Sequence, residues 1–440
     1  MYLFFVCLVA AMGGLLFGFD TSVISGAIEF MQSPEVFHLT PLEKGWAVGC
    51  ILIGCMFGAG CAGKPSQVYG RKKMLLVTSV IFLLSTLGCA FAVNYTTFVV
   101  FRMIAGVSVG AASMLSPLYI SEIAPAHLRG RMVSLNQFAI FSGQALAFVS
   151  NHLLVDVGGV DNWRWMLGVM VVPCVLFLVC LLFVPESPRW LAMKGKEEKA
   201  WNVLSKIGGD DYADRELRLV EETGSSKSEG GLRLLFSRPF RKVLVLGIIV
   251  AVFQQWCGTN VIFNYAQEIF QSAGYSLGDV LFNIVVTGVA NVIFTFVAIY
   301  TVERLGRRIL MLLGAGGLAG IYLILGTCYF FEVSGFFMVV LVVLAIACYA
   351  MSLGPITWVL LAEIFPNRVR AVAMATCTFA LWVGSFTLTY TFPLLNNFLG
   401  SSGTFWIYAA ICAVGYLFFF RALPETKGKS LEALEKDLIK

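Results

Sequence analysis

Long apolar stretches recur along the chain, and each is about as long as a helix that crosses a lipid bilayer. Such a helix needs roughly 20 consecutive apolar residues. Helices are favoured because backbone exposed to lipid must satisfy its own hydrogen bonds, and a barrel would show alternating polarity instead. The pattern predicts twelve spans, numbered 1 to 12 in chain order, over residues 3–28, 45–62, 74–93, 97–120, 132–154, 165–184, 242–268, 280–301, 309–330, 336–361, 371–395 and 403–421.

The segment 185–241 breaks this pattern because it is polar and rich in charge. It reads GKEEKAWNVLSKIGGDDYADRELRLVEE and then GSSKSEGG, which predicts short amphipathic helices followed by a flexible Gly/Ser linker. The segment divides the chain into two halves of six spans. We therefore predict an N-terminal half over 1–184, a linker over 185–241, a C-terminal half over 242–421 and a tail over 422–440.

Composition and charge agree with a membrane protein and give its orientation. Only 13% of the residues are charged and 58% are hydrophobic, whereas soluble domains carry about 25% charged residues. Of the 31 Lys and Arg, Arg102 lies inside a predicted span, Lys44 and Arg164 follow odd-numbered spans, and the other 28 follow even-numbered spans or lie in the linker or tail. The positive-inside rule then places those regions and both termini in the cytoplasm.

This topology predicts a multi-pass protein of the cell membrane, which is the inner membrane if the cell is Gram-negative. The net charge of +5 follows from the topology, so we predict no nucleic-acid partner. The twelve cysteines are scattered in or beside apolar runs, which suits packing residues rather than a disulfide framework or a metal site. The three histidines form no cluster, and no nucleophile–base pair or phosphate loop stands out. We predict no metal, no cofactor and no enzymatic activity.

Short charged motifs recur in the two halves at nearly one offset. Spans 4 and 10 both end in Glu-Ile-x-Pro-x-x-x-Arg, YGRKK after span 2 matches LGRR after span 8, and PESPRW after span 6 matches PETKGK after span 12. The offsets are 241, 236 and 239 residues, which indicates an internal repeat. Two parallel six-span halves are the layout of the major facilitator fold, in which access to a midplane site alternates between the two sides.

The repeated acids and arginines lie on the predicted cytoplasmic side, where they can pair within and between halves. Such pairs would close an inner gate while the carrier faces outward. The alternative is that the cations only fix the topology. We favour the gate because the acids recur at fixed spacing, and topology needs only the cations. The gate candidates are Arg71, Glu122, Arg129, Glu186, Glu303, Arg307, Glu363 and Arg370.

At these motifs the chain resembles the sugar porter family of the major facilitator superfamily, and within it the bacterial xylose–proton symporter type. PESPRWL, QQWCGTN, GRR and PETKGKSLE carry the resemblance, which covers essentially the whole chain. It implies an all-α membrane protein that imports a pentose or hexose by proton symport with alternating access. A facilitative uniporter stays open as an alternative. A non-transporting sugar sensor is less favoured, because a long cytoplasmic extension would be expected and the tail after PETKG is short.

Polar residues in the spans offer a site for a sugar, because a carboxamide both donates and accepts hydrogen bonds. Gly258 lies among several of them, where a midplane site would need a broken helix. The alternative is that buried amides only hold helices together, but we favour the site because so many occur in three spans. The candidates are Phe17, Gln137, Gln144, Gln254, Gln255, Asn260, Asn264, Asn291, Trp358 and Trp382. The resemblance implies sugar contacts at all of these except Gln144, Asn264 and Trp382.

Two departures from the symporter type concern this site. That type has a tyrosine at the position of Asn264 and a glutamine at that of Leu381. The substrate class is therefore expected to carry over, while the identity of the sugar is not. In the loop after span 2 the family often has Asp and Arg where this chain has Gln67 and Val68, so we expect a weaker gate in the N-terminal half.

Asp20 places a carboxylate inside span 1, in the stretch GGLLFGFDTSVISGA. A charge in the bilayer costs roughly 2.5–3.5 kcal/mol on insertion scales, so such groups usually pair and mark a pathway. Arg102 is the only Lys or Arg that lies away from the ends of a predicted span. Counted at 1.5 Å per residue, Asp20 and Arg102 lie about 13 and 8 Å below the outer ends of their spans, so they can pair. Gly14 and Gly18 let neighbouring helices come close, which turns Asp20 to the bundle interior.

This pair has two interpretations. It is either a permanent structural pair or a proton switch, in which a changing Asp–Arg distance links proton binding to the transport cycle. The symporter type has both residues, whereas the animal facilitative carriers keep only the arginine. We therefore predict proton coupling through Asp20 and Arg102, with a monosaccharide, protons and the lipid bilayer as partners of a monomeric carrier.

Overall fold

A computed structural model of the chain describes residues 2–33, 36–154, 156–224, 232–264, 277–333, 335–366, 369–429 and 434. Within these residues the chain is almost entirely helical. The α-helices are α1 Tyr2–Met31, α2 Pro41–Tyr69, α3 Arg71–Ala90, α4 Tyr95–Ile123, α5 Arg129–Leu154, α6 Asn162–Gly168, α7 Val171–Phe183, α8 Pro188–Met193, α9 Glu197–Gly208, α10 Asp210–Gly224, α11 Leu232–Leu235, α12 Arg238–Trp256, α13 Thr259–Asn264, α14 Leu277–Leu305, α15 Arg307–Phe330, α16 Phe336–Ala350, α17 Leu353–Glu363 and α18 Arg370–Ala422.

Twelve helical segments in the described ranges are long and apolar enough to cross a membrane, which confirms the predicted number. Helices α1 to α5 are spans 1 to 5. Span 6 consists of a 3₁₀ turn followed by α6 and α7, and spans 7, 8 and 9 are α12, α14 and α15. Span 10 consists of α16 and α17. Spans 11 and 12 both fall within α18, whose helical backbone is broken at Gly400, where φ is 67°.

Span 2 is longer than its apolar stretch, and here the prediction was wrong. The predicted end was residue 62, but α2 continues to Tyr69. Its last turns carry the exposed side chains of Lys64 and Tyr69, because an α-helix keeps its own hydrogen bonds after the apolar residues end. Arg102 is therefore not the only cation within a spanning helix, although Lys64 lies near the end of its helix.

The predicted spans 7 and 10 are also interrupted, as span 6 is between α6 and α7. Helix α12 ends at Trp256, and α13 begins at Thr259 after Gly258, which has a φ of 86°, so the predicted break at Gly258 is confirmed. The interruption of span 10 between α16 and α17 was not predicted. Its physical reason is Pro355, which has no N–H to donate to the carbonyl of Met351 one turn earlier.

The segment between the halves folds into α8, α9 and α10, as predicted, while its Gly/Ser stretch 225–231 lies outside the described residues. Trp190 of α8 is buried with side chains of α9, and its indole N–H donates to the backbone oxygen of Gln67 at 2.9 Å. Arg189 pairs with Glu216 of α10 at 3.3 Å. Burial raises the pKa of the nearby Tyr212 to about 12, so its hydroxyl stays neutral. We call the side of the bundle that carries α8–α10 the linker face.

Spans 1 and 5 pack backbone to backbone. A Cβ atom on Gly14 would lie 2.7 Å from the backbone oxygen of Asn136, and one on Gly18 would lie 1.8 Å from that of Ile140. No side chain fits at either position, so the predicted close approach at these glycines is confirmed. Asp20, two residues beyond Gly18, is 1% exposed and faces the interior of the bundle.

Candidate functional site

Asp20 and Arg102 form an ion pair buried between spans 1 and 4. The Nη1 atom of Arg102 donates to Oδ1 of Asp20 at 2.7 Å, and both side chains are at most 2% exposed. Among the described residues, the second carboxylate oxygen of Asp20, Oδ2, has no hydrogen-bond partner. A proton can therefore bind Oδ2 while Arg102 still holds Oδ1.

Four of the predicted sugar-binding amides of spans 5, 7 and 8 are buried, and two of them have atoms that are unpaired among the described residues. Gln254 and Gln255 end α12 just before the break, and Nε2 of Gln255 donates to Oε1 of Gln254 at 2.6 Å. Oε1 of Gln137 and both amide atoms of Asn291 have no protein partner, although these side chains are 5% and 1% exposed. Because buried polar groups are nearly always hydrogen-bonded, a ligand or water is the expected partner.

The aromatic candidates connect the two halves. Trp382 of span 11 lies edge-to-face against Phe17 of span 1, with ring centroids 5.3 Å apart. Its indole N–H also donates to Oγ of Ser113 in span 4 at 3.3 Å, a contact that sequence reasoning missed. Trp358 of α17 is 4% exposed, and Leu381 beside Trp382 is 1% exposed, so both belong to the interior.

The structure does not assemble every candidate. Gln144 is half-buried on α5, and the described contacts do not bring it together with the other amides. The backbones of Asn260 and Asn264 belong to α13, but their side chains lie outside the described residues. A role for these three residues stays a prediction.

Three gate candidates of the N-terminal half meet at the linker face. Arg71 pairs with Glu122 at 2.8 Å, and both side chains are 1% exposed. Oγ of Ser187 donates to the other oxygen of Glu122. The carboxylate of Glu186 accepts hydrogen bonds from the first two backbone N–H groups of α3 at 2.8 and 3.0 Å. A carboxylate at this position also interacts favourably with the helix dipole.

The C-terminal half repeats this arrangement. Arg307 pairs with Glu363 at 3.0 Å, and Thr426 donates to Glu363 at 2.7 Å. Glu425 accepts hydrogen bonds from the first two N–H groups of α15 at 2.9 and 3.1 Å. Arg307 also pairs with Glu303 at 2.7 Å. This pair has no counterpart among the described ion pairs of the N-terminal half.

The glycine of each Gly-Arg motif is required by this geometry. Gly70 and Gly306 precede α3 and α15 with φ of 101° and 89°, a region that favours glycine. A Cβ at Gly70 would lie 2.3 Å from the carboxylate of Glu186, and one at Gly306 would lie 2.5 Å from that of Glu425. Any larger residue would displace the carboxylate that caps the following helix.

Contacts at the linker face also join the two halves. Oε1 of Glu303 accepts a hydrogen bond from the backbone N–H of Gly130 at 2.8 Å. Arg129 donates to the backbone oxygens of Ser121 at 3.1 Å and of Lys429, across the interface, at 3.3 Å. The last gate candidate, Arg370, donates to the backbone oxygen of Phe365 in its own half at 3.0 Å. The two halves therefore touch one another at the linker face.

The arrangement of twelve spans, a buried Asp–Arg pair and duplicated charge clusters matches a known family. The family model for "Sugar (and other) transporter" matches residues 6–438. The chain belongs to this family. It is 38% identical to the D-xylose-proton symporter of Escherichia coli (strain K12), with 99% of this chain and 95% of that protein covered. It is also 38% identical to the arabinose-proton symporter of Bacillus subtilis (strain 168), with coverages of 98% and 94%.

Solved structures of the family agree with this fold. The proton:xylose symporter XylE bound to 6-bromo-6-deoxy-D-glucose superposes with a TM-score of 0.93 at 38% identity, covering 99% of both chains. The inward-open conformation of the xylose transporter from E. coli gives a TM-score of only 0.75 at 36% identity, covering 99% of this chain and 100% of that chain. Since the identities are nearly equal, the difference is one of conformation, which agrees with halves that touch at the linker face. The chain is thus a multi-pass membrane protein with the major facilitator fold, as predicted.

Sequence reasoning missed three members of the linker-face clusters. Glu425 is the repeat counterpart of Glu186, and Thr426 is the counterpart of Ser187, both at the offset of 239 residues. The matched motifs PES and PET contained this signal, but only the acid of the first motif was named as a gate candidate. The structure shows that the hydroxyl beside each acid binds the neighbouring glutamate of span 4 or span 10.

Proposed function

We propose that this member of the sugar transporter family imports a monosaccharide by proton symport with alternating access. The buried ion pair between Asp20 and Arg102 carries this proposal, because its free carboxylate oxygen can bind a proton inside a spanning helix bundle. The relatives named as xylose–proton and arabinose–proton symporters support it. Both sugars are pentoses, so a pentose is the first substrate to test.

The proposed sugar site lies between the halves, with Trp358, Trp382 and Phe17 as apolar walls and amides as hydrogen-bonding groups. The unpaired atoms of Gln137 and Asn291 support it, since sugar hydroxyls would satisfy them. The remaining proposed contacts are Gln144, Gln254, Gln255, Asn260 and Asn264. If each hydrogen bond contributes about 0.5–1.5 kcal/mol, the combined affinity is moderate, which suits a carrier that must also release its cargo.

The proposed inner gate consists of Arg71, Glu122, Arg129, Glu186, Glu303, Arg307, Glu363 and Arg370. The contacts between Glu303 and Gly130 and between Arg129 and Lys429 support it, because they cross between the halves. Breaking them would let the halves rock apart at the linker face and release the sugar there. We place this face and both termini in the cytoplasm of the cell, on the distribution of Lys and Arg, and we propose a monomeric carrier.

Coupling follows from the charge balance of the ion pair. Arg102 stays charged throughout the cycle, so neutralising Asp20 by a proton weakens the attraction between spans 1 and 4. A carrier that moves between its two states only when Asp20 is protonated and sugar is bound, or when both sites are empty, couples the two fluxes. The same site without this requirement would be a uniporter.

Transport in liposomes tests the proposal. Purified protein should accumulate a pentose when an inward proton gradient is imposed. Asp20→Asn should abolish accumulation and retain sugar counterflow, because the neutral amide mimics the protonated state. Asp161→Asn is the matched control, since Asp161 forms an exposed ion pair with Arg164. Uptake that ignores both the gradient and Asp20→Asn would indicate a uniporter, and sugar binding without uptake would indicate a sensor.

A further inference from the structure

A small cavity lies inside the N-terminal half, apart from the proposed sugar site. Its lining is mostly apolar and includes Gly13 and Leu16 of span 1, Thr78 and Ser79 of span 3, and Ser108 and Ala112 of span 4. It has room for water but not for a sugar. The proposed sugar contacts lie on other spans, except for Phe17, which is turned about 100° around span 1 from Leu16.

The cavity lies on the same side of span 1 as the carboxylate of the ion pair. Asp20, Leu16 and Gly13 are spaced by four and then three residues, so they share one face of the helix. Leu16 is therefore one turn, about 6 Å, from Asp20 towards the linker face, and Gly13 is about 10 Å from it. By this spacing Asp20 lies one to two turns from the cavity along span 1, and among the described residues one of its carboxylate oxygens is unpaired.

Hydroxyl groups give the cavity the polar partners that a buried water needs. Ser108 is 2% exposed, and its Oγ has no partner within the part of the chain that the structure describes. The hydroxyls of Thr78 and Ser79 donate to backbone oxygens one turn earlier at 2.8 Å, so each keeps lone pairs that can accept from water. An ordered water typically makes two to four hydrogen bonds, and these three groups provide that number.

A second unpaired hydroxyl continues the series towards the linker face. A Cβ on Gly13 would lie 2.6 Å from Oγ of Ser116, so this hydroxyl borders the lower end of the cavity. Ser116 is 0% exposed, and its Oγ has no partner. One turn further along span 4, the hydroxyl of Tyr119 donates to the backbone oxygen of Pro185 at 2.6 Å, beside the cluster of Glu122.

We propose that the proton leaves Asp20 through this cavity, along a route of water and serine hydroxyls that ends at the linker face and is separate from the sugar path. The proposal rests on the proton symport proposed above. Each water or hydroxyl accepts one proton while it gives another to its neighbour. The O–H bond on Asp20 therefore breaks, a water at the linker face gains the proton, and the groups between them are regenerated.

The surroundings of Asp20 favour this direction of release. Arg102 holds Oδ1, so the proton binds Oδ2. The other titratable groups in electrostatic range of Asp20 among the described residues are thiols, which lie on spans 2, 3 and 6, namely Cys50, Cys55, Cys89 and Cys174. These thiols are buried. They do not form a series that leads from Asp20 to the linker face, as the hydroxyls of Ser108 and Ser116 do.

Variants at the two unpaired hydroxyls test the route. Ser108→Val removes a hydroxyl and fills part of the cavity, and Ser116→Ala removes the second hydroxyl. Proton-driven sugar uptake and sugar-driven acidification of the liposome lumen should fall by about tenfold, while sugar counterflow stays within about twofold of wild type. Counterflow is spared because a carrier that exchanges one sugar for another never needs to release its proton.

Two further variants separate the route from a packing effect. Ser108→Thr adds a methyl group but keeps the hydroxyl, so it should retain proton-driven uptake. Ser121→Ala is the matched control on span 4, because Ser121 is also 0% exposed but its hydroxyl donates to Leu118. The route is overturned if Ser108→Val and Ser116→Ala leave proton flux at the wild-type level, or if counterflow falls as far as proton flux. A wild type that acidifies the lumen with no sugar-dependent component would instead overturn the proposed symport.

Discussion

At the scale of single residues, Asp20 carries the proposal of proton coupling. The carboxylate is buried, one oxygen is held by Arg102, and the other has no partner. A buried pair of this kind is a poor source of stability, because the cost of removing both charges from water offsets most of their attraction. The proposed proton coupling would give the pair a functional reason.

The charge balance of this pair predicts the behaviour of Arg102→Leu. Removing the arginine leaves an uncompensated buried carboxylate, which should lower stability by about 3–5 kcal/mol at neutral pH. Protonation of Asp20 discharges that carboxylate, so the loss should shrink as the pH falls. Thermal melts of the purified protein at pH 5 and pH 8 measure this.

Two comparisons sharpen the Arg102 prediction. The double variant Asp20→Asn with Arg102→Leu should recover most of the lost stability, because no charge then remains buried. Arg164→Leu removes one partner of an exposed pair and should cost at most about 1 kcal/mol. Equal losses for the single and double variants would show that packing, and not charge, dominates.

At the scale of elements, the halves are joined at the linker face by spans 2 and 11 as well as by charges. A Cβ on Gly63 would lie 2.7 Å from Cβ of Ala375 and 2.9 Å from the backbone oxygen of Ala371. The next helical turns continue this interface, where a Cβ on Gly60 would lie 3.3 Å from the ring of Phe379. The small residues thus permit spans 2 and 11 to lie close together at the linker face, and a larger side chain at these positions would push the two spans apart.

Gly63→Val should therefore shift the carrier towards opening at the linker face. Overpacking a well-packed interface costs about 1–3 kcal/mol, and this conformation would bear the cost because its spans 2 and 11 touch closely at Gly63. Hydrogen–deuterium exchange should become faster at the linker-face ends of both spans. Gly49→Val on the same helix is the matched control, since nothing lies within 4 Å of a Cβ at Gly49. Equal exchange in the two variants would count against a closed interface at Gly63.

At the scale of the whole molecule, the two halves repeat one arrangement of charges but differ in the number of carboxylates that pair with the arginine. Arg307 pairs with the carboxylates of Glu303 and Glu363, whereas Arg71 pairs with Glu122. The repeat offset of 236 residues places Gln67 opposite Glu303. This difference agrees with the weaker gate that the sequence predicts in the N-terminal half, but its effect on transport remains a prediction.

Gln67→Glu should restore the symmetry. A second carboxylate near Arg71 should stabilise the arrangement closed at the linker face by about 1 kcal/mol, the upper end for a partly exposed pair, and slow uptake by about fivefold. Glu303→Gln should act in the opposite direction, because it removes one partner of Arg307 and weakens the contact with Gly130. Initial rates of uptake and melting temperatures test both variants. If the two variants changed the uptake rate in the same direction, the proposed gate would be contradicted.

The sequence by itself determined the number of spans, their division into halves, the internal repeat and the pairing of Asp20 with Arg102. These features follow from local rules, because a bilayer fixes the length of an apolar helix and excludes unpaired charge. It also located the broken helix at Gly258, because a glycine among the polar residues of a span is typical of a helix that is interrupted at a midplane site.

Only the tertiary structure decided which groups are left without partners and where the halves touch. The unpaired hydroxyls of Ser108 and Ser116, the bond from Trp382 to Ser113 and the capping role of Glu425 join residues far apart in the chain. The pattern of hydrophobic and polar positions cannot predict such contacts. Whether a buried polar atom finds a hydrogen-bond partner depends on the side chains that several helices bring together. The number of spans is therefore determined by the sequence, and the proposed paths of sugar and proton depend on the packing.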